Sequence, residues 1–78
     1  MTKSYAVLQM YDSLLEGKTL NIADCMANYN ISVPTFRRYI SLLRAFLVEQ
    51  HAISLLYDRS NGTYYLEKPF SRNFFTNK

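Results

Sequence analysis

Arg37, Arg38 and Arg44 are the residues whose type and spacing point most directly to chemistry, because no acidic residue lies between Cys25 and Val48. A guanidinium carries a permanent charge and a rigid fork of N–H donors, which suits phosphate oxygens and the edge of a guanine. A local positive stretch inside a structured segment is a candidate phosphate-facing surface. On charge alone, an ordinary solvated helix face explains the three arginines equally well.

Other kinds of chemistry find less support. The six acids, Asp12, Glu16, Asp24, Glu49, Asp58 and Glu67, are scattered, and no two of them are spaced for general acid–base work. His51 has no nucleophile or ligand set near it in sequence and reads as a loop residue. A single cysteine, Cys25, leaves no internal disulfide and no zinc site; it reads as a small buried apolar side chain. No metal, cofactor or small-molecule ligand is expected, and the chain is not expected to be an enzyme.

The elements that must position the arginines follow from apolar spacing. Ser4 can cap a first helix running to about Glu16, with Tyr5, Val7, Leu8, Tyr11, Leu14 and Leu15 at three- and four-residue intervals. Gly17 stands where a left-handed C-terminal cap belongs. Lys18-Thr19-Leu20 is a link with room for a β-bridge, and Asn21 caps a second helix from Ile22 to about Asn28. Tyr29-Asn30-Ile31 is a tight turn in which Asn30 can take positive φ. Ser32 then opens a third helix, about 32–48, with Pro34 in its first turn, where a missing N–H costs nothing. Projected at about 100° per residue, Phe36, Ile40, Leu43 and Leu47 share one face, and Pro34, Arg37, Arg38, Ser41 and Ala45 share the opposite one. One face is core; the other is basic and small.

After His51 the pattern turns to β. Ile53 to Tyr57 reads as a strand, Asp58 to Gly62 as a turn ending in an Asn-Gly pair, and Thr63 to Leu66 as the return strand of a hairpin. Tyr64 and Tyr65 alternate along it, so one should face the core and the other solvent. Arg59, in the hairpin turn, is a further candidate contact to a polyanion. Pro69 ends the hairpin, and the Phe-rich segment to Lys78 has no clear period.

Composition fits a single folded unit. Of 78 residues, 49% are hydrophobic and only two are Gly and two Pro, which is too apolar for disorder. A chain this short buries only roughly 60–65% of its unfolded surface, so its core must be well filled. The net charge of +3 and pI near 9.2 lean toward an anionic partner. No apolar run approaches a membrane span, and no signal-peptide pattern opens the chain, so no membrane association and a cytoplasmic location are expected. The expected division is a folded unit over 1–68 and a tail over 69–78.

Two helices joined by a tight turn, the second with a basic outer face, followed by a hairpin, predict a mainly α fold with a small β-hairpin. This is a winged helix-turn-helix, a three-helix bundle plus wing. In that arrangement the third helix enters the DNA major groove, where base edges carry a distinct donor and acceptor code, and the 53–66 hairpin touches an adjacent groove or backbone.

The segments Ile31-Ser32-Val33-Pro34-Thr35-Phe36-Arg37-Arg38-Tyr39-Ile40 and Tyr57-Asp58-Arg59-Ser60-Asn61-Gly62-Thr63-Tyr64-Tyr65-Leu66 resemble the N-terminal winged helix of WYL-domain transcription regulators. DeoR-type regulators share the helix-turn-helix pattern. The likeness covers roughly residues 4–67. It implies sequence-specific binding of double-stranded DNA by the third helix, usually as a homodimer, in a transcription regulator. Ser32 and Thr35 would hold phosphates, while Arg38, and with it Arg37, would reach base edges. The chain departs from the family in having Pro34 where an Arg or similar polar residue is usual. It also has Tyr39 in place of an acid, and Cys25-Met26 in place of a Leu-Ala pair. The family's ligand-sensing domain is not within these 78 residues.

The DNA-contacting set expected from face and resemblance together is Ser32, Pro34, Thr35, Arg37, Arg38, Ser41, Arg44 and Arg59. A homodimer joined through the first helix, the tail, or both would present two recognition helices. The alternative from a different class is a winged-helix protein-interaction module that modulates another regulator or enzyme. Such a module would more often carry an apolar or acidic face where Arg37 and Arg38 stand.

Overall fold

The computed structural model describes residues 3–68. Its order is α1 (Lys3–Leu15), β1 (Leu20–Asn21), α2 (Ile22–Tyr29), α3 (Val33–His51), β2 (Leu55–Asp58) and β3 (Thr63–Leu66). The three helices pack with a three-stranded antiparallel sheet in the order β1-β3-β2, and the 69–78 tail lies outside the described residues. The sheet corrects the expected two-stranded wing. Leu20 pairs with Tyr64 and Asn21 with Thr63, so the short link after α1 becomes the edge partner of β3.

Each helix stops where the sequence supplies a residue able to reverse the chain. After α1, Gly17 takes φ +84°, the Gly17 N–H donates to the Leu14 carbonyl, and the Lys18 N–H donates to the Ser13 carbonyl. That pair of bonds is a Schellman closure, which a Cβ-bearing residue makes at higher cost. α2 opens on Asn21, whose side chain accepts from the Asp24 N–H at 3.1 Å, and closes on Asn30 at φ 54°. α3 opens on Ser32 and runs three residues past its expected end, closing on Ala52 at φ 55°. Alanine is an uncommon choice there, costing roughly 1–2 kcal/mol. The Ala52 N–H is satisfied by the Val48 carbonyl, and the reversal delivers Ile53 into a buried position.

That reversal explains two further corrections. The strand expected from Ile53 begins at Leu55, because Ile53 serves as a core anchor before the ladder starts. His51 is the last residue of α3 rather than part of a loop; its Nε2 lies 3.1 Å from the Tyr11 hydroxyl and its ring 5.9 Å from that of Phe46. Ser4 falls inside α1 instead of capping it.

The core is built from Ala6, Met10 and Leu14 of α1, Leu20 of β1, Cys25 of α2, Leu55 of β2, and Phe36, Tyr39, Ile40, Leu43 and Leu47 of α3. The stripe expected on α1 is therefore rotated. Val7, Tyr11 and Leu14 do pack inward, but Tyr5 is 50% and Leu8 60% exposed. The four expected core residues of α3 are all buried, and Tyr39 joins them. In the hairpin, Leu55 opposes Leu66 on the inner face and Leu56 opposes Tyr65 on the outer one. Tyr64 packs against the core and Tyr65 is exposed, as the alternation predicts. Only Gly62 of the Asn-Gly pair takes positive φ, with its N–H donating to the Asp58 carbonyl at 2.7 Å. Among the described residues no helix is long and apolar enough to cross a membrane.

Cys25 is 5% exposed, as its expected role requires. Burial, with the Asp24 carboxylate beside it as a lesser cause, pushes the thiol from 9.0 up to about 11. The folded chain thus holds this proton more tightly than the unfolded one. Stability linked to the thiol is complete below pH 9 and is lost as the pH rises toward 11. The expected loss is roughly 2 kcal/mol across that window. A Cys25→Ala variant should lose less stability between those pH values in denaturant titrations, and identical slopes for the two proteins would contradict the assignment.

Candidate nucleic-acid interface

The site is built on the outer side of α3, and its geometry starts at Ser32. The Ser32 side chain accepts from the Thr35 N–H at 3.4 Å and its hydroxyl donates to Thr35 Oγ1 at 3.1 Å. The two residues expected to hold phosphates are thus bonded to each other in the absence of a partner. Pro34 follows within the first turn, where it needs no backbone acceptor. The Thr35 N–H is taken by the Ser32 side chain and the Phe36 N–H donates to the Ser32 carbonyl at 2.9 Å, so the turn is capped from within.

Behind this end, Pro34, Arg37, Arg38 and Ser41 are all exposed, while Phe36, Tyr39 and Ile40 between them are buried. The polar face is therefore held by the core immediately beneath it. Neither Arg37 nor Arg38 has a carboxylate partner among the described residues. No residue between Cys25 and Val48 is acidic, so α3 itself brings no carboxylate to this face before Glu49.

Arg44 is also exposed, and it makes a contact that the sequence did not announce. Its Nε and Nη2 donate to the Leu55 carbonyl at 3.4 and 3.3 Å, so the side chain bridges α3 to β2. Arg59 is exposed in the hairpin turn. That turn is organised by Asp58, whose carboxylate accepts from the Ser60 and Asn61 N–H groups and from the Asn61 side chain at 2.7 Å. At the base of the hairpin, the Glu67 carboxylate accepts from the Ser54 N–H at 2.9 Å, which holds it below the usual carboxylate range.

The structure adds Tyr64 to the residues near the basic face. It lines a cleft with Arg37, Ile40, Ser41 and Arg44. Sequence reasoning put one of Tyr64 and Tyr65 on the inner side of the hairpin without deciding which, and it had no signal for the approach of Tyr64 to α3, which depends on how the sheet docks. On the other edge of the helix, Thr35, Arg38, Tyr39 and Leu42 line a second, more apolar depression. Among the described residues no three His, Cys, Asp or Glu side chains gather as a metal ion would require.

No protein-family model, no curated protein and no solved structure matches this chain.

Proposed function

We propose that the chain is a winged helix-turn-helix domain that binds double-stranded DNA as a cytoplasmic transcription regulator, of the kind found in WYL-domain and DeoR-type regulators. α3 would lie in the major groove, and β2 and β3 would form the wing. One observation carries the reading: the outer face of α3 is exposed and basic, with no acidic residue before Glu49 near its C-terminal end, while its inner face is anchored in the core. A helix presented in that way fits the groove, and its uncompensated arginines suit phosphates and guanine edges. The element order and the antiparallel hairpin after α3 support the same reading.

The test is binding to a mixed-sequence duplex across a salt series. With about six phosphate contacts per domain, log affinity should fall against log salt with a slope near −5. A flat or absent response at low salt would remove DNA as the partner.

A homodimer belongs to this reading. A single recognition helix discriminates weakly against the many competing sites of a genome, whereas two helices about 34 Å apart read both halves of a palindrome. The exposed Tyr5 and Leu8 on α1 favour that surface for the contact. Sedimentation at several micromolar should give a dimer mass for the native chain and a monomer mass for a Tyr5→Ser/Leu8→Ser variant. Equal masses for the two would exclude α1 as the contact.

A further inference from the structure

Between the outer face of α3 and β3 lies an open cleft of about 250 Å³, lined by Arg37, Ile40, Ser41, Arg44 and Tyr64. At about 100° per residue, Arg37, Ser41 and Arg44 fall within about 60° of one another on the helix, whereas Arg38 lies about 100° from Arg37. The basic face therefore has two edges. One edge looks toward the sheet; the other carries Arg38 beside Thr35 and Leu42.

The edge toward the sheet is held at two points. Arg44 is fastened through Nε and Nη2 to the Leu55 carbonyl, a neutral acceptor that orients the guanidinium without cancelling its charge. Three of its five N–H donors remain for another acceptor. Tyr64, the opposite wall, has its ring centre 5.7 Å from that of Phe36 and 4.8 Å from that of Tyr57, so it too is held by packing. Arg37 supplies a second charge and Ser41 a hydroxyl. No carboxylate lines the cleft. Two guanidinium groups beside a hydroxyl, one of them fixed in advance, suit a phosphate oxyanion.

We propose that this cleft seats one backbone phosphate of the bound duplex. Arg37 and Arg44 would set the register of α3, and Arg38, on the other edge, would reach the bases. The inference rests on the DNA-binding reading, but the cleft can be tested separately.

The test uses the full chain with two probes, inorganic phosphate and a mixed-sequence 20-bp duplex. Phosphate, followed by amide chemical shifts, should perturb Arg37, Ser41, Arg44 and Tyr64 before other residues. Ser41→Glu, which puts a carboxylate into the cleft, should weaken duplex binding about tenfold or more and make the salt slope shallower by about 1. Gln50→Glu makes the same charge change at the far end of α3 and should alter affinity by less than about twofold. Arg37→Gln removes one charge without adding any, and should flatten the slope alike if Ser41→Glu fails to fold. Equal effects of Ser41→Glu and Gln50→Glu, with the native chain binding duplex normally, would overturn the cleft and leave DNA binding standing. Phosphate shifts at the cleft with no duplex binding at low salt would instead overturn the DNA assignment and leave an anion site.

Discussion

Replacing Arg37 and Arg38 together by alanine is expected to lower affinity for a specific duplex by about a hundredfold or more while leaving the fold intact. Both side chains are exposed and neither belongs to the core, so the change in stability should stay within about 0.5 kcal/mol. A lost base contact costs roughly 1–3 kcal/mol and relaxes preference at one position, whereas a lost phosphate contact weakens all sequences alike. The single variants should therefore differ in kind. Arg38→Ala should relax sequence preference, and Arg37→Ala should flatten the salt dependence. Binding curves and thermal melts on the same samples check both halves. Unchanged affinity in the double variant, with a normal melt, would remove α3 from the recognition role.

Phe36→Ala is expected to remove a large share of the domain's stability. Phe36 is fully buried and its ring meets Tyr64, so it joins the helix that carries the basic face to the central strand of the sheet. Truncating a buried Phe costs roughly 3–5 kcal/mol. At about 0.05–0.15 kcal/mol per residue, a domain of this size holds roughly 4–12 kcal/mol in all, so the loss is a large fraction of the total. Urea titration should show the midpoint falling steeply, with any DNA binding lost wherever the variant unfolds. A variant that still melts cooperatively within a few degrees of the native chain would mean that Phe36 is not central to the core.

The sequence made the helical part of the fold legible because its signals are local. Asn21, Ser32 and Pro34 mark helix starts, and Gly17 and Asn30 mark ends, through bonds made within a few residues. The inner face of α3 was legible for the same reason: Phe36, Ile40, Leu43 and Leu47 repeat with the helix period, and all four are buried. What escaped was non-local. The pairing of Leu20 with Tyr64 joins residues far apart in sequence, and no pattern in a two-residue strand announces it. On α1, apolar residues occur on more than one side, so spacing alone could not tell Ala6 and Met10, which are buried, from Tyr5 and Leu8, which are exposed. Ala52 in a left-handed conformation broke the expected rule for a helix end and moved the start of β2. In the candidate site, Arg37, Arg38 and Ser41 were readable from one helix. The tether of Arg44 to the Leu55 carbonyl and the approach of Tyr64 depend on tertiary docking.

The exposed Leu42, Phe46, Leu56 and Tyr57 keep a protein-interaction module in play as the competing account, since such a module would use apolar rather than basic surface. The measurement that separates the two most directly is selection of bound sequences from a random double-stranded DNA pool, run in parallel on the native chain and on the Arg37→Ala/Arg38→Ala variant. DNA recognition by α3 predicts a shared motif for the native chain, with two half-sites about one helical turn apart if it acts as a dimer, and no motif for the variant. Recovery of no motif by the native chain, or of the same motif by both proteins, would contradict it.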